Sequence, residues 1–283
     1  MLRISLTGAS GLVGSRIIEL LQNDFTFHPI SQEQMDITDQ NKVKETINSL
    51  DFDIFLHLAA YTNVDGAETN KEIAHKINVE GTKNIFEAVQ NKGKKFIYIS
   101  TGFIFDGTGQ NYNEQSLSNP LSIYAKTKYQ GEQIVNPPTG GKAMIVRIEY
   151  PYRAKYDLKL DFVATIKKLL TENKKVNMVT DSMITPTFID DIAYSLKYLF
   201  NNFSPEIFHI VGSDSLSPYD AGLKIAEIFN LNKNLINPIL AEDYFRGKAQ
   251  RPKNAIIKSI KNNFYKMKSF EEGLREVEKQ LDR

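Results

Sequence analysis

Thr7-Gly8-Ala9-Ser10-Gly11-Leu12-Val13-Gly14 stands directly behind the short apolar run Ile4-Ser5-Leu6. Three glycines at this spacing make a dinucleotide phosphate turn. The first lets the chain turn sharply, the second lets the backbone approach a pyrophosphate, and the third lets the following helix lie close on its strand. Leu12 to Gln22 reads as that helix, with its N-terminal amides and positive dipole end aimed at the phosphates. The competing reading is a glycine-rich turn with only a packing role; the position between a strand and a helix favours the phosphate turn.

Working outward, strand and helix signals alternate. Strands are expected at Arg3 to Leu6, Thr26 to Ile30, Ile54 to Leu58, Phe96 to Ile99 and Ala143 to Ile148, with helices beginning near Gly11, Asp39, Glu72 and Pro120. This alternation specifies an α/β fold, a doubly wound parallel sheet of the Rossmann type, over residues 1–150. Past Pro151 the rhythm changes: helix Leu158 to Thr171, strand Val176 to Val179, helix Asp190 to Phe203, strand Ile207 to Val211, helix Pro218 to Phe229. Residues 151–183 and 206–283 are expected to form a smaller substrate-binding lobe, with 184–205 returning to the main sheet. The polar stretch Gly107 to Asn119 is expected as a loop over the active site.

A second motif carries chemistry. Tyr124 and Lys128 stand at i and i+4 on the helix expected over Leu121 to Val135, so they share one face. A free tyrosine titrates near about 10 and needs a neighbouring cation to exchange a proton at neutral pH. Lys128 is the expected source of that charge. Alone, such a pair is an exposed contact worth about 0.3 kcal/mol, and Tyr244-Phe245-Arg246-Gly247-Lys248 repeats the spacing with no catalytic context. Context separates the two: Ser100-Thr101 closes a buried-looking strand at its C-terminal end, where open α/β sheets bind ligands, and offers a hydroxyl to a substrate carbonyl.

The composition fits an enzyme with a sizeable core: 283 residues, 41% hydrophobic, 11% aromatic. A net charge of +1 gives no general attraction to nucleic acid or anionic membrane. Without cysteine there is no disulfide framework, thiolate metal site or cysteine nucleophile, and no metal is expected. Glycines interrupt the apolar N-terminus, which excludes a signal peptide, and no run of about 18 apolar residues suggests a membrane span. A cytoplasmic protein, with a homodimer as an allowed assembly, is the expectation.

The chain resembles the extended short-chain dehydrogenase/reductases, and among them the dTDP-4-dehydrorhamnose reductases. The matching stretches are Thr7 to Gly14, Met35 to Asp39, Leu58 to Glu68, Asn78 to Thr82, Ser100 to Gly107, Tyr124 to Lys128, Gly131-Glu132, Thr185-Pro186-Thr187 and Arg251 to Asn254. The resemblance implies Thr101, Tyr124 and Lys128 as catalytic residues. It implies cofactor contacts at Gly8, Ser10, Gly11, Leu12, Val13, Gly14, Ser31, Ala59, Ala60, Tyr61, Tyr124 and Lys128, with Asp36 and Ile37 against the adenine. Thr62, Val64, Thr101, Phe103 and Arg251 are the implied substrate contacts, and the substrate a nucleotide-linked 4-keto sugar. Two features depart from the family pattern: Gly102 stands where an aspartate usually follows the Ser-Thr pair, and Arg147 to Arg153 lacks the usual tryptophan. A regulatory subunit of methionine adenosyltransferase also resembles this sequence, including its Arg-Pro-x-Asn segment, and uses the fold to bind a partner. Epimerases share the Tyr-Lys chemistry. A 4,6-dehydratase needs a carboxylate pair beside the threonine, where this chain has Gly102-Phe103.

The cofactor is expected to be NADP(H), or NADP(H) and NAD(H) in dual use, because His28-Pro29-Ile30-Ser31-Gln32 offers no carboxylate to repel a 2′-phosphate. His57 and His209 read as satisfied sheet residues, and Asp190-Asp191 as a helix cap. Arg153, Arg246 and Arg251 are candidate diphosphate clamps, with ordinary surface or interlobe pairing as the alternative.

Overall fold

The structure, a computed structural model, describes residues 1–136 and 143–282. The chain begins with β1 (Arg3–Thr7), α1 (Leu12–Leu21), β2 (Thr26–Ile30), α2 (Gln40–Ser49) and β3 (Ile54–His57). Two short helices follow, α3 (Val64–Thr69) and α4 (Lys71–His75); α4 runs through a π turn (Lys76–Gly81) into α5 (Thr82–Asn91). Then come β4 (Lys95–Thr101), α6 (Ile123–Val135), β5 (Ala143–Ile148) and β6 (Pro151–Tyr152). The remainder is α7 (Phe162–Thr171), β7 (Val176–Val179), β8 (Thr187–Phe188), α8 (Ile189–Asn201), β9 (Ile207–His209), α9 (Pro218–Ile228), β10 (Ile236–Ile239), α10 (Ala241–Tyr244) and α11 (Phe270–Leu281).

Among the described residues, the main sheet has the order β2-β1-β3-β4-β5-β9 and is parallel throughout. Its chain order reverses beside β1, the switch point at which such sheets bind ligands. Strands buried on both faces need apolar cover on both sides. Ile4, Leu6, Leu56, Ile97 and Val146 pack with α1 and α8 on one side, and Phe55, Phe96, Tyr98 and Ile145 with Val43, Ile85 and Val89 on the other. A separate cluster joins α7, α9 and α11 through Val163, Ile225, Phe270 and Leu274, beside the two-stranded β7–β10 sheet.

Several boundaries differ from expectation. β9 lies in the main sheet, its Phe208 opposite Val146, so the returning segment runs past 205 to His209 and the smaller lobe does not begin at 206. Its three residues are too few to announce their partner. α6 starts at Ile123, because the Ser122 hydroxyl accepts from the Ala125 amide and sets the cap two residues beyond Pro120. α7 starts at Phe162 behind the Asp161 cap, which leaves 153–161 as loop. Asp190 and Asp191 stand in the first turn of α8 but make no side-chain cap. Asp190 holds Arg16 at 2.7 Å through each oxygen, and Asp191 accepts from the Lys268 amide and ammonium and from the Tyr265 hydroxyl. Among the described residues no helix is long and apolar enough to cross a membrane.

Candidate active site

The phosphate turn comes first, between β1 and α1. Gly8 has φ +70°, and a Cβ there would come within 2.8 Å of the Ala59 amide nitrogen. A Cβ on Gly14 would overlap the Gly8 carbonyl oxygen. Both positions therefore need glycine, one for its dihedral and one for a close approach. Gly11 caps α1 without a side-chain hydrogen bond, and the first turn carries no acidic residue. The helix end thus presents amide donors and a positive dipole to an anion.

The sheet's C-terminal edge supplies the rest. Thr101 ends β4, where its Oγ1 accepts from the Phe103 amide at 3.2 Å. Tyr124 lies in the first turn of α6 with the Phe103 ring edge-on at 6.1 Å. Burial pushes the Tyr124 phenol up to about 12, and the neighbouring Thr101 hydroxyl pulls it the other way. One turn on, the Lys128 ammonium donates to the Ile99 carbonyl at 2.9 Å and sits 4.1 Å from the Tyr98 ring centroid. Burial takes it down to about 7, against the opposing pull of Glu132. Lys128 is not among the groups that shift Tyr124, contrary to the role expected of it: a buried ammonium needs an acceptor, and it finds the Ile99 carbonyl rather than the phenol.

One cavity of about 660 Å³ joins these pieces. Gly8, Ser10, Gly11, Leu12, Val13 and Gly14 line one end, and Ala59, Ala60, Thr62 and Val64 the wall after β3. Thr101, Phe103, Tyr124, Lys128 and Arg251 also line it. Four expected residues lie outside the lining. Ser31 exchanges hydrogen bonds with Gln34, Asp36 accepts from the Thr38 amide and hydroxyl, Ile37 packs on Gly81, and the Tyr61 amide is held by Asn78 Oδ1 at 2.8 Å.

The 107–119 loop does not line the cavity. It is tied elsewhere, through the Tyr112 amide to the Ile256 carbonyl and through Glu114 to the His209 and Ile260 amides. The covering loop is 153–161 instead, where Tyr156, Lys159 and Leu160 face the cavity and the Tyr156 hydroxyl donates to the Ser10 carbonyl at 2.7 Å.

Of the candidate clamps, Arg153 donates to Ser15 Oγ and Glu19 and ties the loop to α1, Arg246 is an exposed partner of Asp243, and Arg251 pairs with Asp65. Only Arg251 reaches the cavity. Lys248 stacks 4.2 Å over the half-exposed Tyr244 ring after α10 has ended, so the duplicate Tyr-Lys spacing makes no active pair. His57 is a buried strut between Thr7 Oγ1 and Thr82 Oγ1, held neutral by burial and the nearby Lys128 charge, which take it down to about 3. His209 bonds the Lys258 carbonyl and Arg147. No group of three or more acidic or histidine side chains suited to a metal occurs among the described residues.

Besides the covering loop, three residues stand out that went unassigned from sequence. Asn78 bonds the Tyr61 backbone and Thr127 Oγ1, locking the β3 loop to α6. Its place in a family-like stretch was the available signal. Glu149 and Tyr150 line the cavity just past β5; a charged residue closing six buried strand positions was their only mark.

A family model described as the RmlD substrate binding domain matches residues 2–283. The chain belongs to this family. Among solved structures, dTDP-4-dehydrorhamnose reductase from Bacillus anthracis str. Ames in complex with NADP superposes with a TM-score of 0.92 at 31% identity, covering 99% of each chain. Methionine adenosyltransferase 2 subunit beta of Bos taurus is 30% identical over 89% of this chain and 79% of its own. A probable low-salt glycan biosynthesis reductase, Agl14 of Haloferax volcanii, is 29% identical over 89% and 88%. The fold of this RmlD-family chain is that of an extended short-chain dehydrogenase/reductase, a Rossmann-like parallel sheet with flanking helices.

Proposed function

We propose that this chain is an NADPH- or NADH-dependent reductase of a nucleotide-linked 4-keto-6-deoxy sugar. The observation that carries the reading is the placement of Thr101, Tyr124 and Lys128 on the wall of the same cavity that opens at the phosphate turn. The turn fits a dinucleotide: Gly8 and Gly14 let it pack closely on the chain after β3 and on itself, which keeps the N-terminus of α1 at the cavity, and the α1 amides have no competing side-chain cap.

When bound, the reduced nicotinamide supplies the hydride that converts the ketone carbon to a secondary alcohol. Tyr124 stays protonated at neutral pH and gives its proton to the carbonyl oxygen, while the Thr101 hydroxyl orients that oxygen. Lys128 spends one proton on Ile99 and offers the others to ribose hydroxyls. Ile30-Ser31-Gln32 carries no carboxylate at the end of β2, and the Glu33 carboxylate that follows bonds the Ser31 side chain, so both NADPH and NADH stay in the proposal.

The similarity to methionine adenosyltransferase 2 subunit beta favours one second reading, a nucleotide-binding partner subunit without turnover. One assay separates them. Purified protein is mixed with NADPH or NADH and dTDP-4-keto-6-deoxy-mannose generated in situ, and absorbance of the reduced nicotinamide is followed beside calorimetric cofactor binding. The reductase reading expects oxidation with this sugar; binding without oxidation across a panel of 4-keto sugars supports the second.

A further inference from the structure

The subsite beside Thr101 contains a carboxyl group that the sequence pattern does not place there. Gly102 follows Thr101, and a Cβ at 102 would overlap both Glu149 Oε2 and Ile257 Cδ1. The volume next to the threonine is therefore already filled by the Glu149 carboxyl, delivered from the end of β5. Glu149 is 1% exposed yet lines the cavity, and neither of its oxygens has a well-formed hydrogen bond among the described residues. A buried carboxyl without a partner is costly, so its retention at a cavity wall needs an explanation. The backbone adds a second mark: Tyr150 has φ +38°, a rare conformation for a tyrosine, and strain of this kind gathers at functional sites.

We propose that Glu149 is a specificity-determining residue of the sugar subsite, its carboxyl entering the space left by Gly102 to hydrogen-bond an oxygen of the substrate sugar beside the reacting carbonyl. The ligand's identity rests on the reductase reading above; the placement of the carboxyl does not. Burial pushes Glu149 up to about 8, and the nearby Gly102 amide only partly offsets it, so the group is mostly a neutral acid at pH 7 and acts as a donor. The titratable groups sharing its surroundings are Tyr124 from α6 and Tyr150 beside it, with Lys128 and Arg251 on the same cavity wall; Ile257 faces it from the C-terminal segment. No cation contributes to its shift. Substrate contacts should therefore weaken as pH rises past about 8.

The test is calorimetry on the NADP⁺-loaded protein with two probes, dTDP and the alcohol product dTDP-L-rhamnose, at pH 7 and 9, for wild type, Glu149→Gln and Glu149→Leu. Glutamine keeps a donor and removes the titration, whereas leucine removes both. Wild-type affinity for the sugar nucleotide should fall about tenfold more between pH 7 and 9 than that of Glu149→Gln, with proton uptake on binding at pH 9 that the glutamine variant lacks. Glu149→Leu should lose about tenfold at pH 7 for the sugar nucleotide and keep its affinity for dTDP. Equal sugar affinity in Glu149→Leu, or identical pH profiles in wild type and Glu149→Gln, overturns the proposal while leaving the reductase reading intact. Failure of the wild type to bind either probe overturns both.

Discussion

At the scale of single residues, Tyr124 is the proton donor of the proposed reaction. Tyr124→Phe should lower kcat by about 10³-fold, within the range that acid catalysis contributes, and leave the dissociation constant for NADPH unchanged; stopped-flow oxidation and fluorescence titration read the two. Glu149 makes a separate statement about stability. Its folded pKa, about 8, lies above the ordinary 4.5, so the folded state holds the extra proton and loses stability as pH rises through that window. The slope is at most about 1.4 kcal/mol per pH unit. Lys128 works the other way, because a folded pKa near 7 against 10.5 adds stability as pH rises from about 7. Glu149→Gln keeps the lysine effect, so its Tm should gain on the wild type from pH 5 to 8 and then hold level. A constant Tm difference over that range would place Glu149 in a wetter environment than the structure gives it. Thr101, Tyr124 and Lys128 were legible because each sits in a local pattern. The Gly102–Glu149 pairing was not, since one residue's missing side chain and another's carboxyl meet across 47 positions of sequence.

At the scale of elements, the β1 turn and α1 form one device. The Gly14→Ala methyl would overlap the Gly8 carbonyl oxygen, which is backbone and cannot swing aside. NADPH affinity should therefore drop at least about tenfold, a loss of about 1.4 kcal/mol, and an unchanged affinity would argue that the turn carries no phosphate. α1 is anchored by the paired Arg16–Asp190 contacts to α8, with Gln280 of α11 also on Asp190. Asp190→Ala leaves a half-buried guanidinium short of its partner and should cost about 3 kcal/mol in urea unfolding. The alternation of elements was readable from apolar runs and caps. Their exact starts were less so: Ser122 and Asp161 were polar residues with several competing neighbours, and only the folded backbone shows which hydroxyl or carboxylate meets an amide. Asp190 and Asp191 fit a cap by type, but long-range basic partners claimed them.

At the scale of the whole molecule, the sheet and the smaller lobe meet at the cavity, and loop 153–161 binds them together through Arg153 to Glu19 and Tyr156 to Ser10. The parallel sheet was legible from five strands and their intervening helices. The sixth strand, β9, was recognised as a strand but placed in the wrong unit, because a strand's neighbour is set by tertiary pairing with β5 and not by its own composition. The covering loop was misplaced for a similar reason: 107–119 and 153–161 are both polar, and only contacts with Ile256, Ile260 and Ser10 distinguish them. The central claim is hydride transfer to the sugar's C4 ketone on this scaffold. Its most direct measurement is turnover with NADPH deuterated at the transferable C4 position of the nicotinamide, followed by NMR of the isolated sugar nucleotide. One deuterium at C4 of the sugar is the expected result. A sugar recovered unreduced, or reduced without deuterium at that carbon, would contradict the account.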